Sequence, residues 1–278
     1  MAAAYELSKP LPSGARIPTV GLGVFQATNP HEAYEAVLAA LKVGYRHIDT
    51  ARDYENEEEV GRAVRDSGIP REEVFITSKL FPTDWGYDRA IKCVKESNER
   101  IGLGYVDLFL LHAPGDRTKR AETWRALEDL QQQGVVRDIG VSNFGADHLE
   151  KLAETSRVKP AVNQIEVHPW LLRPEVVKYC EEHGIHIQAY SPLAKAKRLT
   201  DQAVLDIAKE VNATPGQVCI AWSMAKNFIT LPKSFNPTRQ KENLDSIYVK
   251  LTPQQVARLD ALDEYLVLSW DPIKNEPV

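Results

Sequence analysis

Two hydrophobic periods take turns along this chain. Short, nearly continuous apolar runs read as strands, Leu108-Phe109-Leu110-Leu111 being the clearest. Between them, apolar residues three and four apart read as helices with one buried stripe. A hairpin comes first: Tyr5-Glu6-Leu7, a turn through Pro10-Leu11-Pro12-Ser13-Gly14, then Ala15-Arg16-Ile17. Residues 19–23 form the first of eight strand candidates. The following helix starts at the capping box Asn29-Pro30-His31-Glu32, carries Ala33, Val37 and Leu41 on one face, and stops at Gly44.

The alternation then becomes regular. Strands are expected at 46–48, 74–77, 106–111, 135–141, 161–165, 185–189 and 228–231. Helices are expected at 57–67, 88–101, around Trp124, Leu127 and Leu130, at 147–156, and at 174–183. Two helices follow the seventh strand, capped at Thr200 and by Thr214-Pro215-Gly216-Gln217. Asn236-Pro237 caps the helix after the eighth strand, and Thr252-Pro253-Gln254-Gln255 opens one extra C-terminal helix. Strands alternating with helices imply a parallel sheet covered on its outside. The length of 278 residues fits an α/β fold of the closed (β/α)8 TIM-barrel type better than an open sheet. No linker or shift of composition divides the chain, so a single domain over 1–278 is expected.

Composition narrows the function classes. The 34 basic and 39 acidic residues give a net charge of −5 without a basic block, which argues against nucleic acid or an anionic membrane as partner. No apolar run approaches the roughly 18 residues of a spanning helix, and Met1-Ala2-Ala3-Ala4-Tyr5-Glu6 lacks the regions of a leader. Cys93, Cys180 and Cys219 lie far apart with no CxxC pair, which fits buried thiols in a reducing, cytoplasmic setting.

In such a barrel the site lies where the strands end. Those ends carry Asp49, Lys79, His112, Ser142-Asn143, Gln164, Tyr190-Ser191 and Lys233-Ser234, with Tyr54 on the loop after Asp49. Asp49, Tyr54, Lys79 and His112 make sense as one acid–base unit. A phenol titrates near ~10, too high for an efficient donor at neutral pH. An adjacent ammonium lowers that value, a buried ammonium needs a carboxylate partner, and a neutral histidine can place a carbonyl oxygen. Singly, each has an ordinary reading as a structural ion pair or a satisfied core group; together on one rim they point to proton transfer. Lys233, Ser234 and Arg239 surround a helix N-terminus, a favourable place for a phosphate. Tyr190 offers a flat face for a planar ring. Gly21-Leu22-Gly23 lacks the third glycine and the immediate helix of a dinucleotide fingerprint. His183 and His186 flank a helix end, and His47 is separated by strand alternation unless it faces inward with Asp49, so no metal site is expected.

These stretches, in this order, resemble the aldo-keto reductase family over essentially the whole chain. They are residues 44–51 with Tyr54, Ile76-Thr77-Ser78-Lys79, Leu110-Leu111-His112, Gly140-Val141-Ser142-Asn143-Phe144, residues 163–169, Tyr190-Ser191-Pro192-Leu193, and Leu231-Pro232-Lys233-Ser234 with Arg239, Glu242 and Asn243. The resemblance implies that Asp49, Tyr54, Lys79 and His112 are a catalytic tetrad. It implies NADPH, with the nicotinamide on Tyr190 and its amide at Ser142, Asn143 and Gln164. It places the 2′-phosphate at Lys233, Ser234 and Arg239 and the adenine at Glu242 and Asn243, with Gly23, Val24, Phe25, Ser191, Pro192, Leu193 and Phe235 also along the cofactor. Phe25, Tyr54, Phe81, Trp85, His112 and Trp270 would line the pocket for a small carbonyl substrate, in a monomeric enzyme. Two positions depart from the commonest pattern: Ala113 stands where His-Trp-Pro is usual, and Phe25 where many relatives carry Trp. The loops after His112 and Leu193 are short, similar to microbial members such as the 2,5-diketo-gluconate reductases. A cofactor-binding regulatory subunit on the same fold is the alternative.

Overall fold

The structure, a computed structural model, describes residues 5–27 and 29–275; the Met1-Ala2-Ala3-Ala4 start, expected above to lack the regions of a leader, lies outside them. Strands β1 (Ser8–Pro10) and β2 (Arg16–Pro18) pair antiparallel, with Lys9 opposite Ile17. The expected hairpin is present, but its first arm starts at Ser8, and Pro10, expected in the turn, ends the strand. Proline is tolerated there because a strand end at an edge needs no further N–H. The hairpin closes the bottom of the barrel: Leu11 and Ile17 are buried in a cluster with Phe75, Leu108, Leu110, Val162 and Ile229.

The eight barrel strands are β3 (Leu22–Gly23), β4 (His47–Asp49), β5 (Phe75–Leu80), β6 (Val106–Leu111), β7 (Val136–Ser142), β8 (Val162–Glu166), β9 (His186–Tyr190) and β10 (Ile229–Leu231). They lie in sequence order, every neighbouring pair parallel. The ring closes where Gly21 N–H donates to Thr230 O at 2.9 Å and Thr230 N–H to Thr19 O at 2.7 Å. The chain thus forms a (β/α)8 barrel with an N-terminal hairpin.

The helices follow the hydrophobic stripes. They are α1 (Pro30–Val43), α2 (Glu57–Asp66), α3 (Tyr87–Ile101), α4 (Arg120–Gln132), α5 (Ala146–Ala153), α6 (Pro174–Glu182), α7 (Gln202–Glu210), α8 (Pro215–Ala225), α9 (Pro237–Leu244), α10 (Pro253–Asp260) and α11 (Pro272–Asn275). Asn29 accepts from Glu32 N–H, and Gly44 ends α1 at φ 113°, a conformation that favours glycine. Capping boxes open α8 and α10 at Thr214 and Thr252, as expected. α7 is capped by Asp201, whose carboxylate accepts from Ala203 N–H, rather than by Thr200. α11 has no counterpart among the expected helices, being too short to show a period. The main core lies between strands and helices, with Trp124, Trp170 and Trp222 among its largest buried side chains. Cys93, Cys180 and Cys219 are free and buried within it. No helix of the described residues is long and apolar enough to cross a membrane.

Candidate active site

Asp49 is the last residue of β4, and β5 runs long enough to hold Lys79 inside the strand rather than beyond its end. Alternation points both side chains into the barrel top. Lys79 is fully buried. Its Nζ donates to Asp49 Oδ1 at 2.6 Å, to the Thr50 carbonyl at 2.8 Å and to the Tyr54 phenol oxygen at 3.3 Å. Tyr54 ends a single 3-10 turn, Arg52–Tyr54. The loop that carries it is pinned by two residues that the sequence alone does not single out. Thr50 Oγ1 donates to Asn56 Oδ1 at 2.6 Å, and Asn56 Nδ2 donates to the Val24 carbonyl at 3.1 Å.

Burial raises Asp49 and lowers Lys79 from their ordinary values, while their mutual attraction opposes both shifts. Tyr54 departs from the sequence expectation. Burial and the charges of Asp49 and Asp53 hold its phenol well above the usual value, so Lys79 does not lower it in this state. Burial is the largest cause, and the Asp49 carboxylate, which holds the ammonium at 2.6 Å, adds to it. The resting phenol is therefore protonated. His112 follows β6, and burial, then the Lys79 charge, push its imidazole well below the usual value, so it is neutral.

Across the barrel from Tyr54, the expected amide-holding residues form a bonded group. Ser142 Oγ donates to the Gln164 carbonyl at 2.9 Å. Asn143 Nδ2 donates to the His112 carbonyl at 3.0 Å and to Ser142 Oγ at 3.1 Å. The Tyr190 hydroxyl donates to Asn143 Oδ1 at 2.9 Å, which fixes the edge of its ring. Gln164 Nε2 donates to Asp49 Oδ2 at 2.7 Å and to Gln188 Oε1 at 2.8 Å. Gln188 is not among the expected site residues, because one glutamine in an apolar strand carries no local signal of its partner. His47 does face inward with Asp49, but Nδ1 meets the Pro18 carbonyl and Nε2 meets Thr77 Oγ1. Among the described residues no cluster of His, Cys, Asp and Glu is arranged to hold a metal ion.

Aromatic rings form the wall beside the acid–base unit. Ring centroids lie 4.8 Å apart for Phe25 and Tyr54, 5.7 Å for Tyr54 and His112, and 5.6 Å for Phe81 and His112. Phe25 is 46% exposed. Trp85 is buried, with its ring packed where a Cβ on Gly115 would approach within 2.7 Å, so it offers little surface. Trp270 is 42% exposed, on a tail anchored at the end of β8, where the Glu166 carboxylate accepts from Leu268 and Ser269 N–H at 3.1 Å.

The second constellation lies beyond β10. Lys233 and Arg239 are exposed; the Lys233 ammonium lies 4.9 Å from the Phe235 ring centroid. Ser234 is buried, and its hydroxyl accepts from Asn236 N–H at 3.1 Å. The Arg239 N–H goes to the Asn236 cap at 3.1 Å. Glu242 accepts from Thr214 Oγ1 at 2.6 Å and Asn243 is buried beside it. Gly23 and Val24 N–H are taken by the Pro232 and Asp49 carbonyls. Ser191 holds φ 51° at the start of the Ser191-Pro192-Leu193 turn, local strain of a kind found at functional sites.

A parallel barrel with a buried Asp–Lys pair under a phenol, and with polar side chains at its strand ends, is arranged for acid–base chemistry at the barrel mouth. The chain belongs to the Aldo/keto reductase family, whose sequence model matches residues 19–264. It is 43% identical over 254 residues to the glyoxal reductase of Bacillus subtilis, covering 91% of this chain and 92% of that one. Among solved structures, an aldo-keto reductase from a Medee basin deep-sea metagenome library superposes with a TM-score of 0.92 at 38% identity, covering 95% and 97% of the two chains. A Bombyx mori aldo-keto reductase in complex with NADP gives 0.89 at 32% identity, covering 95% of each chain.

Proposed function

We propose that this chain is an NADPH-dependent carbonyl reductase, working as one barrel unit, with Tyr54 as general acid and Lys79, Asp49 and His112 in support. The observation that carries the reading is the hydrogen bond from Lys79 to the Tyr54 oxygen. Because that oxygen accepts, its own proton is free for a substrate oxygen. When the proton leaves, the phenolate forms on an oxygen already facing an ammonium, which is where preorganised charge helps most. Asp49 holds that ammonium in place through a 2.6 Å bond. Neutral His112 donates a hydrogen bond and orients the carbonyl without competing as the acid. Bound NADPH supplies the hydride.

The residues present fit that cofactor. Lys233 and Arg239, exposed cations beyond β10, would hold the 2′-phosphate. Ser142, Asn143 and Gln164 would hold the carboxamide, and the ring face of Tyr190 the nicotinamide. The NADP complex of the Bombyx mori relative supports the choice of cofactor. The small, buried Ala113 and the row of rings from Phe25 to Phe81 suit varied, bulky carbonyl compounds held with modest affinity. A silent regulatory subunit is not favoured, since the relatives named above are reductases. The test is NADPH consumption with glyoxal and with a bulky aromatic aldehyde. Oxidation dependent on both enzyme and aldehyde is expected. No oxidation with any reactive aldehyde at high enzyme concentration would refute the reading.

A further inference from the structure

A line of hydrogen-bonded side chains crosses the barrel beneath the acid–base unit, and its lower members take no part in the chemistry above. It starts at His47, whose Nδ1 lies 3.1 Å from the Pro18 carbonyl oxygen. A carbonyl only accepts, so the ring proton sits on Nδ1 and leaves Nε2 as an acceptor. Burial pushes the ring down to about 4, which keeps it in this neutral form. Gln188 Nε2 lies 3.3 Å from that acceptor, which the Thr77 hydroxyl approaches equally closely, and therefore donates to it. Thus turned, Gln188 presents Oε1 on its other side, where it accepts from Gln164 Nε2 at 2.8 Å. The remaining amide hydrogen of Gln164 goes to Asp49 Oδ2 at 2.7 Å. His47, Gln188, Gln164 and Asp49 are all buried.

Each link has only one workable polarity. Moving the His47 proton to Nε2 would set two acceptors face to face at Pro18. Flipping Gln188 would set one NH2 group against another. Buried polar groups left without a partner are costly, so the line resists such reversals.

We propose that Gln188, held by His47, is a positioning residue: it fixes the flip of the Gln164 amide so that Gln164 keeps both hydrogens inward and offers only its carbonyl oxygen to the cofactor carboxamide. This rests on the proposed NADPH-dependent reading. Gln188 touches neither the phenol nor the ammonium; it acts through Gln164. Without it, one buried Gln164 N–H loses its acceptor and the amide is held by the Asp49 bond alone.

A double-mutant cycle tests this by equilibrium NADPH binding, followed through quenching of tryptophan fluorescence. Gln188→Met keeps volume and removes the acceptor. It is expected to weaken NADPH binding about 5-fold, the scale of one neutral hydrogen bond. In a Gln164→Ala background the same change is expected to cost less than about 2-fold, because the residue it acts through is gone. An equal loss in both backgrounds, or none in the wild-type background, overturns the proposal. If Gln188→Met does not fold, Gln188→Leu is measured by the same criteria. A wild-type protein that fails to bind NADPH at all refutes the cofactor reading and this inference with it. Wild-type binding with an unresponsive Gln188 refutes the inference alone.

Discussion

Replacing Lys79 with methionine examines the acid–base unit through stability as well as rate. The ammonium is fully buried, and its hydrogens go to Asp49, the Thr50 carbonyl and Tyr54. Removing it leaves the Asp49 carboxylate, 4% exposed, with Gln164 as its remaining side-chain donor. Breaking one side of a buried ion pair costs about 3–5 kcal/mol. The surviving 2.7 Å bond from Gln164 argues for the low end, about 3 kcal/mol. At roughly 2–4 °C per kcal/mol for a chain of this size, Tm should fall by about 6–12 °C. The loss should also depend on pH in a defined direction. Burial already raises Asp49, and Lys79 is the main force lowering it. Without Lys79 its folded pKa lies further above the unfolded value near ~3.9, so the native state binds the proton more tightly than the unfolded chain. Stability then declines as pH rises through that interval, and the deficit shrinks as pH falls from neutrality. Adding Asp49→Asn removes the stranded charge at constant volume. The double variant should recover most of the lost Tm at pH 7 and lose the pH slope. Turnover should stay at least ~10²-fold below wild type, because no ammonium faces the phenolate. Thermal melts followed by circular dichroism across this pH range decide it. A Lys79→Met protein melting within about 2 °C of wild type at neutral pH, or no recovery with Asp49→Asn, would refute the reasoning.

Tyr54→Phe keeps the ring contacts with Phe25 and His112 and removes only the proton. Turnover should drop at least ~10²-fold with NADPH affinity little changed, checked by single-turnover kinetics and fluorescence titration. Arg239→Ala should weaken NADPH binding about 5- to 30-fold and leave NADH untouched, since an exposed charge-assisted bond to one phosphate is lost. Equal losses for both cofactors would make Arg239 merely structural. Gly61→Ala would place its Cβ 1.7 Å from the Ile101 carbonyl oxygen, forcing α2 away from the end of α3. Urea unfolding should show a loss of about 3 kcal/mol, the upper part of the overpacking range, with activity per folded molecule retained.

Residues that answer to near neighbours are legible in the sequence. Asn29, Thr214, Asn236 and Thr252 cap the helices assigned to them, because a cap is decided by an N–H two or three residues away. Gly44 ends α1 because its left-handed φ favours the residue without a Cβ. The apolar runs of β5 and β6 announce strands buried on both faces, and their order names the residues that arrive at the barrel top. Short-range ambiguity accounts for the small differences. Thr200 and Asp201 are both acceptable caps, and the hairpin arm is shifted because residues 5–10 lack a strong alternation.

What the sequence determined by itself is the succession of strands and helices, hence the barrel, and the identity of the polar groups at its mouth. Periodicity and capping act over a few residues, so they survive without knowledge of what lies opposite. Tertiary structure decided which of those groups bond. Asp49 meets Gln164 across 115 positions of sequence, and Gln188 meets His47 across 141. Only ring closure brings such residues within reach. It also decided the electrostatic balance at Tyr54. The sequence places an ammonium near a phenol, but burial first, and then the charges of Asp49 and Asp53, set the sign of the shift. Distance and dielectric govern that competition, and both exist only in the folded barrel.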